Sequence, residues 1–157
     1  MGCKNCRCNF DNAFCKVYNS PQSRDGSRII SLSEKKSNYK LHNDSGLCIS
    51  RYHIDGGLCD SMDMEKCDYG LFTSLNELFL VELKGRNVDH AIEQIDHTID
   101  FFRLPTNFRG MKVKARIVAT KAPTPDMMST KRLSLVKKLK SLGGDLLIKT
   151  IKYEEHI

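Results

Sequence analysis

The sequence predicts a mixed α/β domain, a central mixed β-sheet with an antiparallel meander, flanked by helices. Three observations carry this. Short apolar or alternating runs, separated by turn residues, fill residues 28–84. An amphipathic period of helical spacing follows at 88–103. Strand, helix and strand patterns then succeed one another to the end, an order that packs naturally as one sheet with helices against it. At 157 residues the chain holds one compact domain, and 40% apolar residues supply its core.

Residues 1–26 read as an irregular, cysteine-rich segment, and 27–157 as the domain. Residues 28–32 (RIISL) and 39–42 (YKLH) are short strands, with SEKKSN as the turn between them. Asn43-Asp44-Ser45-Gly46 is a second turn. Residues 47–54 (LCISRYHI) alternate as a strand that Asp55-Gly56-Gly57 ends. Residues 67–73 and 77–84 are two further strands around Ser74-Leu75-Asn76, completing the meander. Asn87 is a helix N-cap with Asp89 in the first turn, and Pro105 stops that helix. Residues 112–119 (KVKARIVA) alternate cleanly. A basic helix spans 127–142, Gly143-Gly144 caps it, and residues 146–152 form one closing strand.

Net charge is +6, but it is segregated. Residues 1–40 carry +5, residues 41–100 carry −8 and residues 101–152 carry +11. Basic arms suit a polyanion, and an acidic middle suits a cation. No apolar run is long enough for a membrane span, and the amino terminus has neither a secretory h-region nor, with Cys6 at the position wanting Ser or Thr, a myristoylation motif. The expectation is a cytoplasmic protein with reduced thiols and no disulfide framework. Of seven cysteines, Cys3, Cys6, Cys8 and Cys15 have a C-x2-C-x-C-x6-C spacing that either binds Zn2+ or leaves free thiols on a tail. Cys67 reads as a small core residue.

The chemistry concentrates at LFLVELKG, residues 78–85. Four apolar residues, Leu78 to Val81, run into Glu82-Leu83-Lys84, the pattern of a central strand covered on both faces. Glu82 and Lys84 share a face by the two-residue period. A hairpin about residues 74–76 places Asp68 opposite Glu82, a separation suited to a shared Mg2+ or Mn2+. Asp68 and Glu82 then hold the metal, and Lys84 supplies positive charge where negative charge develops. The same triplet also fits an ordinary salt bridge of Glu82 to Lys84 or Arg86.

Asp68, then Glu82-Leu83-Lys84 after a hairpin, then a helix carrying HAIEQI, resembles the PD-(D/E)xK nuclease superfamily over residues 47–119. The resemblance implies a restriction-endonuclease-like fold and Mg2+-dependent hydrolysis of a phosphodiester, with DNA as the expected nucleic acid. It implies Asp68, Glu82 and the Leu83 backbone carbonyl as metal ligands, Lys84 as the catalytic lysine, and Gln94 near the metal-bound water or the DNA. Cys67 stands where the family often has proline, and the usual first helix with its extra carboxylate is not visible. Asp55 and Glu34 are the nearest acidic residues to replace it, and Asp55 equally fits a turn aspartate before glycine. No cysteine lies beyond residue 67, unlike the iron–sulfur members.

Lys112, Lys114 and Arg116, with Lys131 and Arg132 on the basic helix, are candidate phosphate contacts or a solvated face. Asp89, Glu93, Asp96 and Asp100 form an acidic face read as solvated, and His90 and His97 as surface histidines. The alternatives to a nuclease are a catalytically silent nucleic-acid-binding module of the same fold, or a protein-interaction module built on the amino-terminal cysteines. A homodimer or a partner protein is compatible with either.

Overall fold

The computed structural model describes residues 23–55, 65–84, 86–102, 110–122 and 129–157. Their elements run β1 (Ser23–Asp25), β2 (Ile29–Glu34), β3 (Ser37–His42), β4 (Ile49–His53), β5 (Tyr69–Thr73) and β6 (Glu77–Lys84). Then come α1 (Val88–Phe101), β7 (Lys112–Ala119), α2 (Thr130–Ser141), β8 (Leu146–Thr150) and β9 (Lys152–His156). The mixed α/β class and the antiparallel meander are as expected, but the strands form two sheets rather than one. One sheet has six strands in the order β1-β4-β5-β6-β7-β8, and the other has three in the order β2-β3-β9.

Burial along β6 explains the layering. Six consecutive residues from Leu78 to Leu83 are buried, as a doubly covered strand requires. Leu78 and Leu80 join α1, α2 and the inward residues of β7 (Val113, Ala115, Ile117, Ala119) in one core. Phe79, Val81 and Leu83 join Ile30, Leu32, Tyr39 and Leu41 of the smaller sheet in a second core. Helices therefore cover one face of the large sheet, and the small sheet covers the other. Among the described residues no helix is long and apolar enough to cross a membrane.

Four departures from the sequence reading have local causes. Strands β2 and β3 extend to a two-residue turn at Lys35-Lys36, because Glu34 pairs with Ser37. The closing strand is two strands, broken at Ile151 with φ 65°. Ile151 donates its N–H to the Ala119 carbonyl at 2.7 Å and accepts from the Asn38 N–H at 2.8 Å, so one residue joins both sheets. β1 pairs with β4, extending the domain back to residue 23. Cys48 is disulfide-bonded, against the expected absence of disulfides, and its partner lies outside the described residues. Cys3, Cys6, Cys8 and Cys15, with their candidate Zn2+ site, also lie outside them.

Helix ends follow their capping residues. Asn87 accepts the His90 N–H at 3.1 Å at the start of α1. Ser129 does the same for Arg132 at 3.2 Å, so α2 begins at residue 130. Gly143 (φ 72°) ends α2 in the left-handed conformation. Gly144 follows against β7 so closely that a Cβ there would lie 1.7 Å from the Val113 carbonyl oxygen.

Candidate active site

The site sits where β5 and β6 finish their pairing. Tyr69 pairs with Val81, so the antiparallel register continues to Asp68 beside Glu82. Each carboxylate takes a backbone donor from the other's strand. The Asp68 N–H donates to Glu82 Oε2 at 3.1 Å, and the Leu83 N–H donates to Asp68 Oδ2 at 2.8 Å. This exchange locks both side chains to the sheet. Lys84, two residues along the same face, places Nζ 3.5 Å from Glu82 Oε1. The ion pair read as an alternative is therefore present, but it does not exhaust the site.

Glu82 is only 1% exposed, and a single amine at 3.5 Å is weak compensation for a buried carboxylate. Burial and the neighbouring charge of Asp68 push its pKa up to about 8, against the opposing pull of Lys84. Asp68 is less enclosed. Burial raises its pKa to about 6, the Leu83 N–H opposes this, and the charges of Glu34 and Asp55 add to the rise. Two like charges are thus held side by side by backbone donors, in a place where proton uptake or a cation would relieve them.

The structure also gathers residues that lie far apart in the chain. Ser37, buried at the start of β3, donates through Oγ to the Lys84 carbonyl at 3.1 Å. This draws the β2–β3 turn to the end of β6 and explains why Glu34 acts on Asp68. No sequence signal marks that contact, because it spans 47 residues between two sheets. Asp55 ends the β4 segment and is exposed, and its charge reaches Asp68.

Gln94 is buried at 3% exposure on α1 and donates Nε2 to the Lys66 carbonyl at 3.2 Å. It therefore supports the segment leading into Asp68, and its Oε1 is buried without a partner. Cys67 is a core residue, as expected: its N–H donates to Thr98 Oγ1 at 2.9 Å, and burial pushes its thiol well above the usual range.

The expected phosphate contacts fare differently. Arg116 faces the small sheet and is 3% exposed, with Nε 2.7 Å from Glu155 and Nη1 3.0 Å from Asp145. It cannot reach a phosphate, because the small sheet covers the face its alternation reaches. Lys114 pairs with Glu77 at 3.3 Å and lies over the Phe79 ring. Lys131 pairs with Glu93, and Lys138 pairs with Asp96 and, at 2.9 Å, with Asp100. The acidic face of α1 and the basic face of α2 thus pair with each other across a partly solvent-exposed surface. Complementary stripes at helical spacing were the available signal for this. Lys112 remains exposed and Arg132 is half-buried. His90 contacts Glu65 and Glu93 instead of acting as a lone surface histidine, while His97 has a buried Nδ1 without a partner.

Two carboxylates at a sheet end suit Mg2+ or Mn2+, which retain several waters and need few protein oxygens. Asp68 and Glu82 present two adjacent carboxylates fixed by backbone donors, the buried Glu82 with its amine partner at 3.5 Å, and this oxygen donor set fits such an ion. Among the described residues no three His, Cys, Asp or Glu side chains converge as a ready-made metal cage. Compared with protein-family models, curated proteins and solved structures, the chain matches none.

Proposed function

We propose that this protein is a metal-dependent nuclease of the PD-(D/E)xK type, hydrolysing phosphodiesters of nucleic acid, with DNA as the substrate. One observation carries the reading: Asp68 and Glu82 are interlocked through each other's backbone, with Lys84 on the same face, at the end of a central strand. A purely structural ion pair has no need of a second carboxylate beside a buried glutamate that, among the described residues, has one cationic partner. The position also suits a ligand. β6, β7 and β8 are parallel, and substrates of such sheets bind outside the carboxyl ends of the strands.

Asp68 and Glu82 would hold the ion, with the Leu83 carbonyl as the further ligand implied by the family pattern. When bound, a divalent cation polarises a phosphate oxygen and lowers the pKa of a coordinated water. Lys84 donates from the same face, stabilising the negative charge that grows on the phosphate oxygens. Glu82, relieved of its excess proton affinity, accepts hydrogen bonds from water at that position. Gln94 acts as a positioning residue that holds the 66–68 segment through the Lys66 carbonyl.

The test is cleavage of labelled single- and double-stranded DNA with Mg2+, Mn2+ or chelator, using wild type, Lys84→Ala and Glu82→Ala. Metal-dependent cutting is expected, with a loss of about 10²–10³-fold in kcat for Lys84→Ala and a comparable or larger loss for Glu82→Ala. Salt-dependent binding without cutting under any metal would replace this reading with the silent binding module.

A further inference from the structure

Lys114, Arg116, Lys131 and Lys138 are taken up by internal ion pairs, so free cations beside the carboxylates must come from elsewhere. The described residues offer one place beside the carboxylates. Lys84 ends β6, and Arg86 follows two residues on. Ala119, which ends β7, is the register partner of Lys84, and Lys121 lies two residues beyond it. The Lys35-Lys36 turn is tied to the same strand end, because Ser37 donates to the Lys84 carbonyl at 3.1 Å. Lys35, Lys36, Arg86 and Lys121 are all exposed, and none has a carboxylate partner among the described residues. Three separate loops thus bring four exposed cations, unpaired among the described residues, to the rim of one acidic site.

We infer that Lys35, Lys36, Arg86 and Lys121 form the phosphate-binding rim of this site and hold a DNA backbone across Asp68 and Glu82. This rests on the nuclease reading and gives it a substrate path. Backbone geometry points the same way. Lys35 adopts φ 52°, a left-handed conformation for which a tight hairpin ordinarily selects glycine or asparagine. A lysine there forgoes the relaxed turn residue, and strain of this kind collects where side chains are needed for function. Cations flanking carboxylates also solve an electrostatic problem, since a polyanion would otherwise be repelled from an acidic site.

The experiment measures affinity of the full chain for a labelled DNA duplex as a function of salt, in chelator so that no cutting intervenes. Each phosphate contact contributes about 0.9 to the slope of log affinity against log salt. The double variant Lys35→Gly/Lys36→Gln should flatten that slope by about two, and Arg86→Gln and Lys121→Gln by about one each. Glycine suits the conformation at residue 35, so the double variant keeps its fold, which its melting temperature verifies. Lys137→Gln/Lys140→Gln, on the exposed side of α2, should leave the slope unchanged. A wild-type slope in the hairpin variant, an equal loss in the α2 control, or no duplex binding by wild type would each overturn the rim. Altered rim slopes in a protein that never cuts would keep the rim and remove hydrolysis. Cutting that persists with unaltered slopes would remove the rim alone.

Discussion

Glu82 and Arg116 occupy neighbouring strands of the same sheet, both almost fully buried, on opposite faces. Arg116 has two carboxylates at 2.7 and 3.0 Å, and their charges and hydrogen bonds outweigh the burial that opposes ionisation. Glu82 has one amine at 3.5 Å and a second carboxylate beside it, and burial raises its pKa. One buried charge is fully answered and the other is not. The answered charge joins two sheets, through β7 and β9. The unanswered one is stable only if something else arrives, and that asymmetry separates a structural charge from a candidate catalytic one.

Substitution at Arg116 should have the largest effect on stability. Arg116→Ala strands Glu155 between the sheets and should cost about 3–5 kcal/mol in urea unfolding, the range for half of a buried pair. A loss below about 1 kcal/mol would break the comparison, by showing that Arg116 is no better compensated than Glu82.

A smaller effect, of opposite sign, is expected at Glu82. Asp68 and Glu82 have folded pKa values of about 6 and about 8, raised above their ordinary values. The folded state therefore binds these protons more tightly than the unfolded chain. Their contribution is fully present below about pH 4 and is lost as pH rises through 6 and 8. In metal-free protein the melting temperature should fall by several degrees between pH 5 and pH 8. Glu82→Gln should remove most of that fall, and Mg2+ at pH 8 should raise the wild type but not the variant. A flat wild-type profile would show that Glu82 is compensated after all.

The smallest effect belongs to the helix pair. Lys138 bridges Asp96 and Asp100 at a partly exposed surface, so Lys138→Ala should cost about 1 kcal/mol or less. That loss should shrink further in high salt. A larger, salt-independent loss would place the α1–α2 contact with the buried charges rather than the surface ones.

Much of the architecture was legible because it is written in local periods. The run from Leu78 to Leu83 announced a strand covered on both faces, and Val88, Ala91, Ile92, Ile95 and Ile99 announced α1. The facing of Asp68 and Glu82 was legible too, since a short hairpin fixes its own register. Arg116 was misread because alternation shows which residues share a face, not what covers it. The split at Ile151 was hidden because a β-branched residue gives no local sign of a left-handed turn. The pairing of α1 with α2 needed two stripes about 40 residues apart to be matched to each other.

The sequence by itself determined most of the strands, the helices, the meander and the carboxylate–lysine triplet, because each depends on neighbours a few residues away. The tertiary structure alone decided which charges are spent and which remain available. It turned β9 into a second sheet, seated Arg116 between Glu155 and Asp145, and drew the Lys35-Lys36 turn to the end of β6 through Ser37. Those outcomes depend on which surfaces meet across long separations, and the energy of a charge is set by what surrounds it rather than by what precedes it in the chain.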